Sequence, residues 1–188
     1  MKYEAIVIGT SAGGLLALTT LLEALPADFP LPIIVVQHRS KDERNLLEEL
    51  LSQKCKIAIK QADEKEKIEK GVVYFAPPDY HLLIERDQTF SLSYDTKVNY
   101  SRPAIDILFE TAAFVYKQHL LAIILTGANA DGANGIKTIR KTGGTTIAQN
   151  PASAQFPAMP QAAIDTGCID KILELTEIKD LLIGLGKR

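Results

Sequence analysis

Tryptophan is missing from this 188-residue sequence, and cysteine occurs only twice. Cys55 and Cys168 lie far apart and form no C-x-x-C or other metal-ligand spacing, so neither a disulfide framework nor a cysteine-based metal site can be read from them. Both are expected to be reduced and to act as small packing residues. Basic residues are not in excess either: 21 Lys and Arg stand against 23 Asp and Glu, a net charge of −2. Without a basic field there is nothing to hold a polyanionic backbone, which argues against nucleic acid as a partner. No stretch reaches the roughly 18 apolar residues of a membrane span. MKYE leads straight into a β-type run, without the charged leader and apolar segment of a signal peptide. A soluble cytoplasmic protein with no membrane insertion is the expectation. Repeats and linkers are lacking too, so residues 1–188 read as one domain, long enough to bury a core of its own.

What is present is an alternation. Apolar runs rich in β-branched residues alternate with helix-spaced patterns, which signals an α/β fold on a Rossmann-like, doubly wound, mostly parallel sheet. Ala5 to Ile8 is the first strand. Leu15, Leu18, Leu22 and Leu25 then recur at helical spacing until Pro26. PIIVVQ (32–37) reads as a strand apolar on both faces, and Leu46, Leu47, Leu50 and Leu51 as the face of the next helix. The mixed-charge run DEKEKIEK (63–70) reads as a solvated loop or edge. VVYFA, HLLIE and FSLSY, separated by PPDY and RDQT, are expected to form an antiparallel ribbon added to the parallel pattern. Pro103 opens the helix PAIDILFETAAFVYK, and LAIILTG from Leu121 is a further strand. The glycine-rich loop GANADGANG precedes a helix carrying Ile136 and Ile139, TTIA is another strand, and a last helix follows from Thr176 to Ile183.

Residues 9–14, GTSAGG, join the first strand to the first helix and match the dinucleotide pattern G-x-G-x-x-G at its first and third glycines only. Ser11 replaces the middle glycine, and its side chain obstructs the close backbone approach that a pyrophosphate needs. There is no P-loop lysine, and the second strand ends in Gln37 and His38 where a ribose-binding acid would stand. Two roles remain for Ser11. As a helix N-cap it would be structural. As a nucleophile elbow it would project its oxygen from a tight turn backed by the small residues Gly9, Ala12, Gly13 and Gly14.

A serine nucleophile needs a base to take its proton, and the sequence has three histidines. His119 precedes a strand and so belongs to the opposite edge of the sheet, while His81 falls in the ribbon. His38 directly follows the second strand, on the same C-terminal edge as Ser11, and strands joined by one helix are commonly neighbours. An acid must then orient the imidazole. Asp131, in the loop after another long apolar strand, reaches that edge; its structural alternative is to cap the helix that follows it. The N–H groups of Ala12 and Gly13, at the opening of the first helix, aim partial positive charge at the serine and form a candidate oxyanion hole.

IGTSAGG, VVQH, GVVYFAPPDYHLL, RPAIDILFE, ILTGANADGANG and NPASAQFPAMPQAAIDTG follow one another across nearly the whole chain. In these segments the sequence resembles the catalytic domain of the CheB-type protein-glutamate methylesterases of bacterial chemotaxis. Ser11, His38 and Asp131 fall on that family's nucleophile, base and orienting acid. The resemblance implies hydrolysis of γ-glutamyl methyl esters on the cytoplasmic helices of methyl-accepting chemotaxis receptors, releasing methanol, with deamidation of receptor glutamines as a second activity. It implies no metal and no organic cofactor. Arg102 and Ala128 join Ala12 and Gly13 as expected oxyanion or substrate contacts.

The chain departs from the family in three places. Ala128, Asn129 and Ala130 occupy a loop that commonly reads T-G-M-G-x-D-G-A, and Ser101 stands where a histidine often precedes Arg-Pro. A phosphoacceptor receiver domain ahead of the catalytic domain, and regulation by one in cis, are not expected. Two rival readings keep the same fold. One is an esterase for another ester or amide, since fold does not fix substrate; the other is a non-catalytic domain that binds a partner or a nucleotide through the same edge.

Overall fold

The computed structural model of the chain describes residues 2–39 and 46–187. Its elements are β1 (Ala5–Thr10), α1 (Gly14–Leu22), β2 (Ile33–Gln37), α2 (Leu46–Ser52), β3 (Ala58–Gln61), β4 (Val72–Phe75), β5 (His81–Ile84), β6 (Phe90–Ser93), α3 (Ile105–Tyr116), β7 (Leu120–Ile124), α4 (Ala133–Lys141), β8 (Thr145–Gln149), α5 (Ala158–Asp165), β9 (Lys171–Leu173) and α6 (Leu175–Gly186). Seven strands form a parallel sheet in the order β3-β4-β2-β1-β7-β8-β9, and β5 pairs antiparallel with β6 as a separate ribbon. This is the α/β class with an antiparallel extension expected from the sequence.

The three central strands explain the apolar runs. Ala5, Val7, Ile34, Val36, Leu120, Ala122 and Ile124 point to one face, where they join side chains of α3, α4 and α5. Ile6, Ile8, Ile33, Val35, Leu121 and Ile123 point to the other, against α1, α2 and α6. A strand covered on both faces is apolar throughout, so no polar alternation survives in these segments. Each large aliphatic side chain so buried stabilises the fold by about 1.5–3 kcal/mol.

Several details differ from the expectation. VVYF is not part of the ribbon; as β4 it lies inside the parallel sheet between β3 and β2, with Val73, Tyr74 and Phe75 buried. Its unbroken apolar character suits a strand covered on both faces, which a ribbon strand is not. β3 and β9, with the mixed sequences AIKQ and KIL, are short edge strands too weakly patterned to be read in advance. The inward stripe of α1 is Gly14, Ala17, Leu18, Leu21 and Leu22, followed by Leu25; Leu15 lies one position round the helix and is 44% exposed. In α2, Leu47 and Leu51 face the core while Leu46 and Leu50 face out. α3 begins at Ile105, with Ala104 extended between Pro103 and the helix. No helix among the described residues is long and apolar enough to cross a membrane.

This topology places a ligand crevice. The chain moves outward from β1 through β2 in one direction and from β7 through β8 in the other, so the sheet switches direction between β1 and β7. Open α/β sheets bind ligands at the carboxyl ends of the strands beside such a switch. Thr10 is in register with Gln37 and Gly9 with Ile124, so Ser11, His38 and the loop after β7 leave the sheet at one level. The ribbon packs beside α3 through Leu82, Ile84 and Phe90, with Phe90 edge-on to Tyr74 at 4.9 Å. The segment after it returns to the same edge, where the Ser101 hydroxyl lies 3.5 Å from His38.

Candidate active site

The turn after β1 is held by its backbone. Ser11 N–H donates to the Thr126 carbonyl at 3.0 Å, and the Ser11 carbonyl accepts from Gly14 N–H at 2.9 Å and from Gln37 Nε2 at 2.8 Å. The same Gln37 nitrogen donates to the His38 carbonyl at 2.9 Å, so one amide clamps both residues. Gly13 is left-handed at φ 79°, and a Cβ on Gly14 would fall on Gln37 Oε1, so the paired glycines are required by conformation and by space. Ser11 is not the N-cap of α1. That position belongs to Gly13, and the cap has no side-chain hydrogen bond. Ser11 Oγ makes no hydrogen bond to any described residue, which leaves the hydroxyl uncommitted.

His38 leaves β2 beside it, its N–H bonded to the Thr10 carbonyl at 3.0 Å. Its Nε2 lies 2.7 Å from Asp131 Oδ2, and the Asp131 side chain is fully buried. Asp131 takes three further donors: Ile105 N–H at 2.7 Å on Oδ2, and Asp106 N–H at 3.1 Å and Asn99 Nδ2 at 2.9 Å on Oδ1. Burial works against its ionisation, but the hydrogen bonds from His38, Asn99 and Ile105 outweigh it and hold the carboxyl below its ordinary range. An ionised Asp131 accepts a hydrogen bond from Nε2–H and leaves Nδ1 with its lone pair as the basic nitrogen. Around Nδ1 stand Ser101 Oγ at 3.5 Å and Asn129 Nδ2 at 3.4 Å, both long and weak.

Asp131 does not cap its own helix. α4 has Gly132 at its N-cap and no side-chain cap bond there. Asp131 instead takes the first N–H groups of α3, while Asp106 of α3 accepts Gly135 N–H in the first turn of α4 at 2.8 Å. Each helix is capped by an acid from the other's vicinity, and the anion of Asp131 sits at the positive end of α3.

The remaining expected residues divide. The N–H groups of Ala12 and Gly13 donate to no described residue and remain available for an oxyanion, as does that of the exposed Ala128. Arg102 borders a cavity of about 300 Å³ into which His38 opens, together with Arg39, Lys97 and Tyr100. Its donors are engaged, however: Nε and Nη2 hold Asp79 Oδ1 at 3.1 and 2.7 Å, Nη1 holds the Tyr94 and Asp95 carbonyls, and the guanidinium stacks on Tyr94 at 3.7 Å. Ser11 borders a second depression of about 520 Å³ with Gly14, Leu15, Leu16, Lys54 and Gln155. His81 has both nitrogens occupied, by Ala104 N–H and the Thr96 carbonyl, and His119 sits at the far edge of the sheet, its carbonyl bonded to Glu4 N–H.

Three residues that hold the site escaped the sequence reading: Gln37, Asn99 and Asp106. A polar residue ending the apolar β2 and an acid in the first turn of an apolar helix are visible signals for Gln37 and Asp106. Asn99 gives none without its partners.

A parallel α/β domain that carries a histidine–aspartate pair at its switch point and, on the neighbouring strand end, a serine with an uncommitted hydroxyl has the arrangement expected of a hydrolase. Comparison with known proteins narrows the class. The profile described as CheB methylesterase matches residues 6–182. The chain is 50% identical over 187 residues to a Leptospira interrogans protein provisionally named protein-glutamate methylesterase/protein-glutamine glutaminase, covering all of this chain and 97% of that one. It is 34% identical to the protein-glutamate methylesterase/protein-glutamine glutaminase of Clostridium acetobutylicum, of which it spans 53%. The crystal structure of the Thermotoga maritima CheB methylesterase catalytic domain superposes with a TM-score of 0.93 at 34% identity, covering 98% of this chain and 100% of that one. The chain belongs to the CheB methylesterase family.

Proposed function

We propose that this protein hydrolyses γ-glutamyl methyl esters on the cytoplasmic helices of methyl-accepting chemotaxis receptors, yielding glutamate and methanol, and deamidates receptor glutamines by the same route. The observation that carries the reading is the 2.7 Å His38–Asp131 bond, formed across the strand end that presents Ser11. Ser11 Oγ attacks the ester carbonyl while His38 Nδ1 takes its proton, and the ionised Asp131 stabilises the imidazolium. Such hydrogen bonds are often long before substrate binds, so the serine closes on Nδ1 as the ester enters. The N–H groups of Ala12 and Gly13 hold the negative oxygen; losing one such donor costs roughly 10²- to 10³-fold in turnover. Methoxide departs with the proton from His38 as methanol. Water, deprotonated by His38, then splits the Ser11 ester and frees the glutamate. The site works in the cytoplasm, where the receptor helices lie.

The test is methanol release from a methylated receptor fragment by wild type and by Ser11→Ala. Equal release by the two ends the reading. A panel of small activated esters run alongside separates a receptor enzyme from a general esterase.

A further inference from the structure

Behind Asp131 lies a second buried carboxylate. Asp106 is 3% exposed, and its Oδ1 caps α4 through Gly135 N–H. Two buried like charges so close disfavour each other's ionisation. Burial first, and the charge of Asp131, do push Asp106 above the ordinary carboxylate range, yet Asp131 stays below it. One side chain stands between them. Asn99 Nδ2 donates to Asp106 Oδ2 at 2.9 Å and to Asp131 Oδ1 at 2.9 Å. An amide nitrogen carries two hydrogens, so both bonds form together, and two carboxylate partners fix which way the amide points.

The backbone is set in an uncommon conformation to allow this. Asn99 at φ 50° and Tyr100 at φ 63° are consecutive left-handed residues, at the tip of a two-residue turn closed by hydrogen bonds between Val98 and Ser101. Asparagine tolerates this conformation; tyrosine adopts it rarely. A turn that had only to reverse the chain would be served by glycine.

We propose that Asn99 is a positioning residue: its amide tethers Asp131 to Asp106 and so fixes the carboxylate that grips His38. The proposal rests on the roles given above to Ser11, His38 and Asp131, and it acts through Asp131 without touching substrate. With Oδ1 pinned by Asn99 and Asp106 N–H, the carboxylate cannot turn, and Oδ2 stays on His38 Nε2 and Ile105 N–H. The other charged groups bordering the His38 cavity are Lys97, Arg39 held by Glu48 at 2.7 Å, and Arg102 held by Asp79 at 2.7 Å. Their pairing does not run through Asn99.

Two substitutions test it on the full chain. Asn99→Gly removes the amide and suits the left-handed backbone, so the fold is kept; Asn99→Asp keeps the shape and sets a third carboxylate between the two. Carbon-13 carboxyl titration follows Asp131, and nitrogen-15 spectra report which nitrogen of His38 is protonated. Asp131 is expected to titrate roughly one pH unit higher in Asn99→Gly and higher again in Asn99→Asp, with loss of the fixed Nε2–H form of His38. Turnover falls about tenfold with KM unchanged, the worth of one hydrogen bond to a charged group. An unmoved Asp131 titration together with an unchanged His38 tautomer in both variants overturns the proposal. The spectra decide this even if wild type releases no methanol, a result that would overturn the functional reading alone.

Discussion

Gly14→Ala separates activity from stability in a way that follows from one contact. The backbone of Gly14 is ordinary helix, so alanine is not strained there; the added Cβ would instead fall on Gln37 Oε1, with Gln37 Cδ at 2.9 Å and Thr10 Oγ1 at 2.8 Å. Gln37 must therefore swing away, which breaks its bonds to the Ser11 and His38 carbonyls. Two neutral hydrogen bonds are worth about 1 kcal/mol each. Against that, Gln37 Oε1 is buried without a partner and gains solvation on leaving, and alanine is favoured over glycine in a helix by about 0.5–1 kcal/mol. The stability change is expected to be small, between about 0 and 2 kcal/mol of loss. Activity is another matter, because the clamp sets the spacing of nucleophile and base, and a misplacement of about 1 Å costs on the order of 10²-fold. Thermal melting and methanol release are measured on Gly14→Ala, Gln37→Ala and the double variant. The two single losses of turnover should be alike and should not add, since both remove the same clamp. Full activity in Gly14→Ala, or additive losses, would refute the reasoning.

Asp131→Asn should lower turnover on the order of 10⁴-fold, through loss of the charge that fixes the imidazole, and stability by about 1.5–3 kcal/mol through weakened caps on Ile105 and Asp106; methanol release and urea melts measure the two. The depressed Asp131 carboxyl contributes stability that is present above the ordinary value of 3.8 and lost as pH falls through its folded value. Asp106, raised by burial, has the opposite sign: its contribution is present below 3.8 and lost as pH rises through its folded value. The advantage of wild type over Asp131→Asn should therefore grow as pH rises through the acid range, and parallel urea-melt curves would contradict this. Gly184→Ala, inside α6 with nothing within 4 Å of the new methyl, should raise the melting temperature, corresponding to about 0.5–1 kcal/mol. Leu16 is 68% exposed on the rim of the Ser11 depression. Leu16→Glu should raise KM for a receptor fragment while leaving hydrolysis of a small activated ester unchanged.

What could be read from the sequence depends on how far each residue's role is local. β1, β2 and β7 announce themselves because burial on both faces forbids any polar residue in their middle. That Ser11, His38 and Asp131 meet at one edge is legible because each follows a strand, and a parallel sheet brings strand ends to one edge whatever lies between them. VVYF was assigned to the ribbon because a four-residue apolar run does not reveal which strand it pairs with. Asn99 was invisible because it lies 32 residues from Asp131 and 7 from Asp106; only the fold shows that one amide meets both. Arg102 is expected as a substrate contact only from the family resemblance, and nothing local says that Asp79, 23 residues away, holds its guanidinium.

The sequence offers Asp131 two roles as alternatives, cap or orienting acid, and the geometry is compatible with both at once. The oxygen that grips His38 also holds Ile105 N–H, so the carboxylate is oriented by the helix it caps. Ser11 is the opposite case, since its backbone holds the turn and its hydroxyl bonds to no described residue. An orienting group must be held from several sides to do its work, whereas a nucleophile must be free of partners to reach its substrate. Melting therefore distinguishes the two roles without any assay of activity. Ser11→Ala should melt like wild type, because it removes nothing the fold uses. Asp131→Ala should melt lower by about 2–4 kcal/mol, because two helix N–H groups and one asparagine N–H are left buried without an acceptor. Equal melting of the two variants would mean that Asp131 is a spectator of α3, and the account of how His38 is held would fall with it.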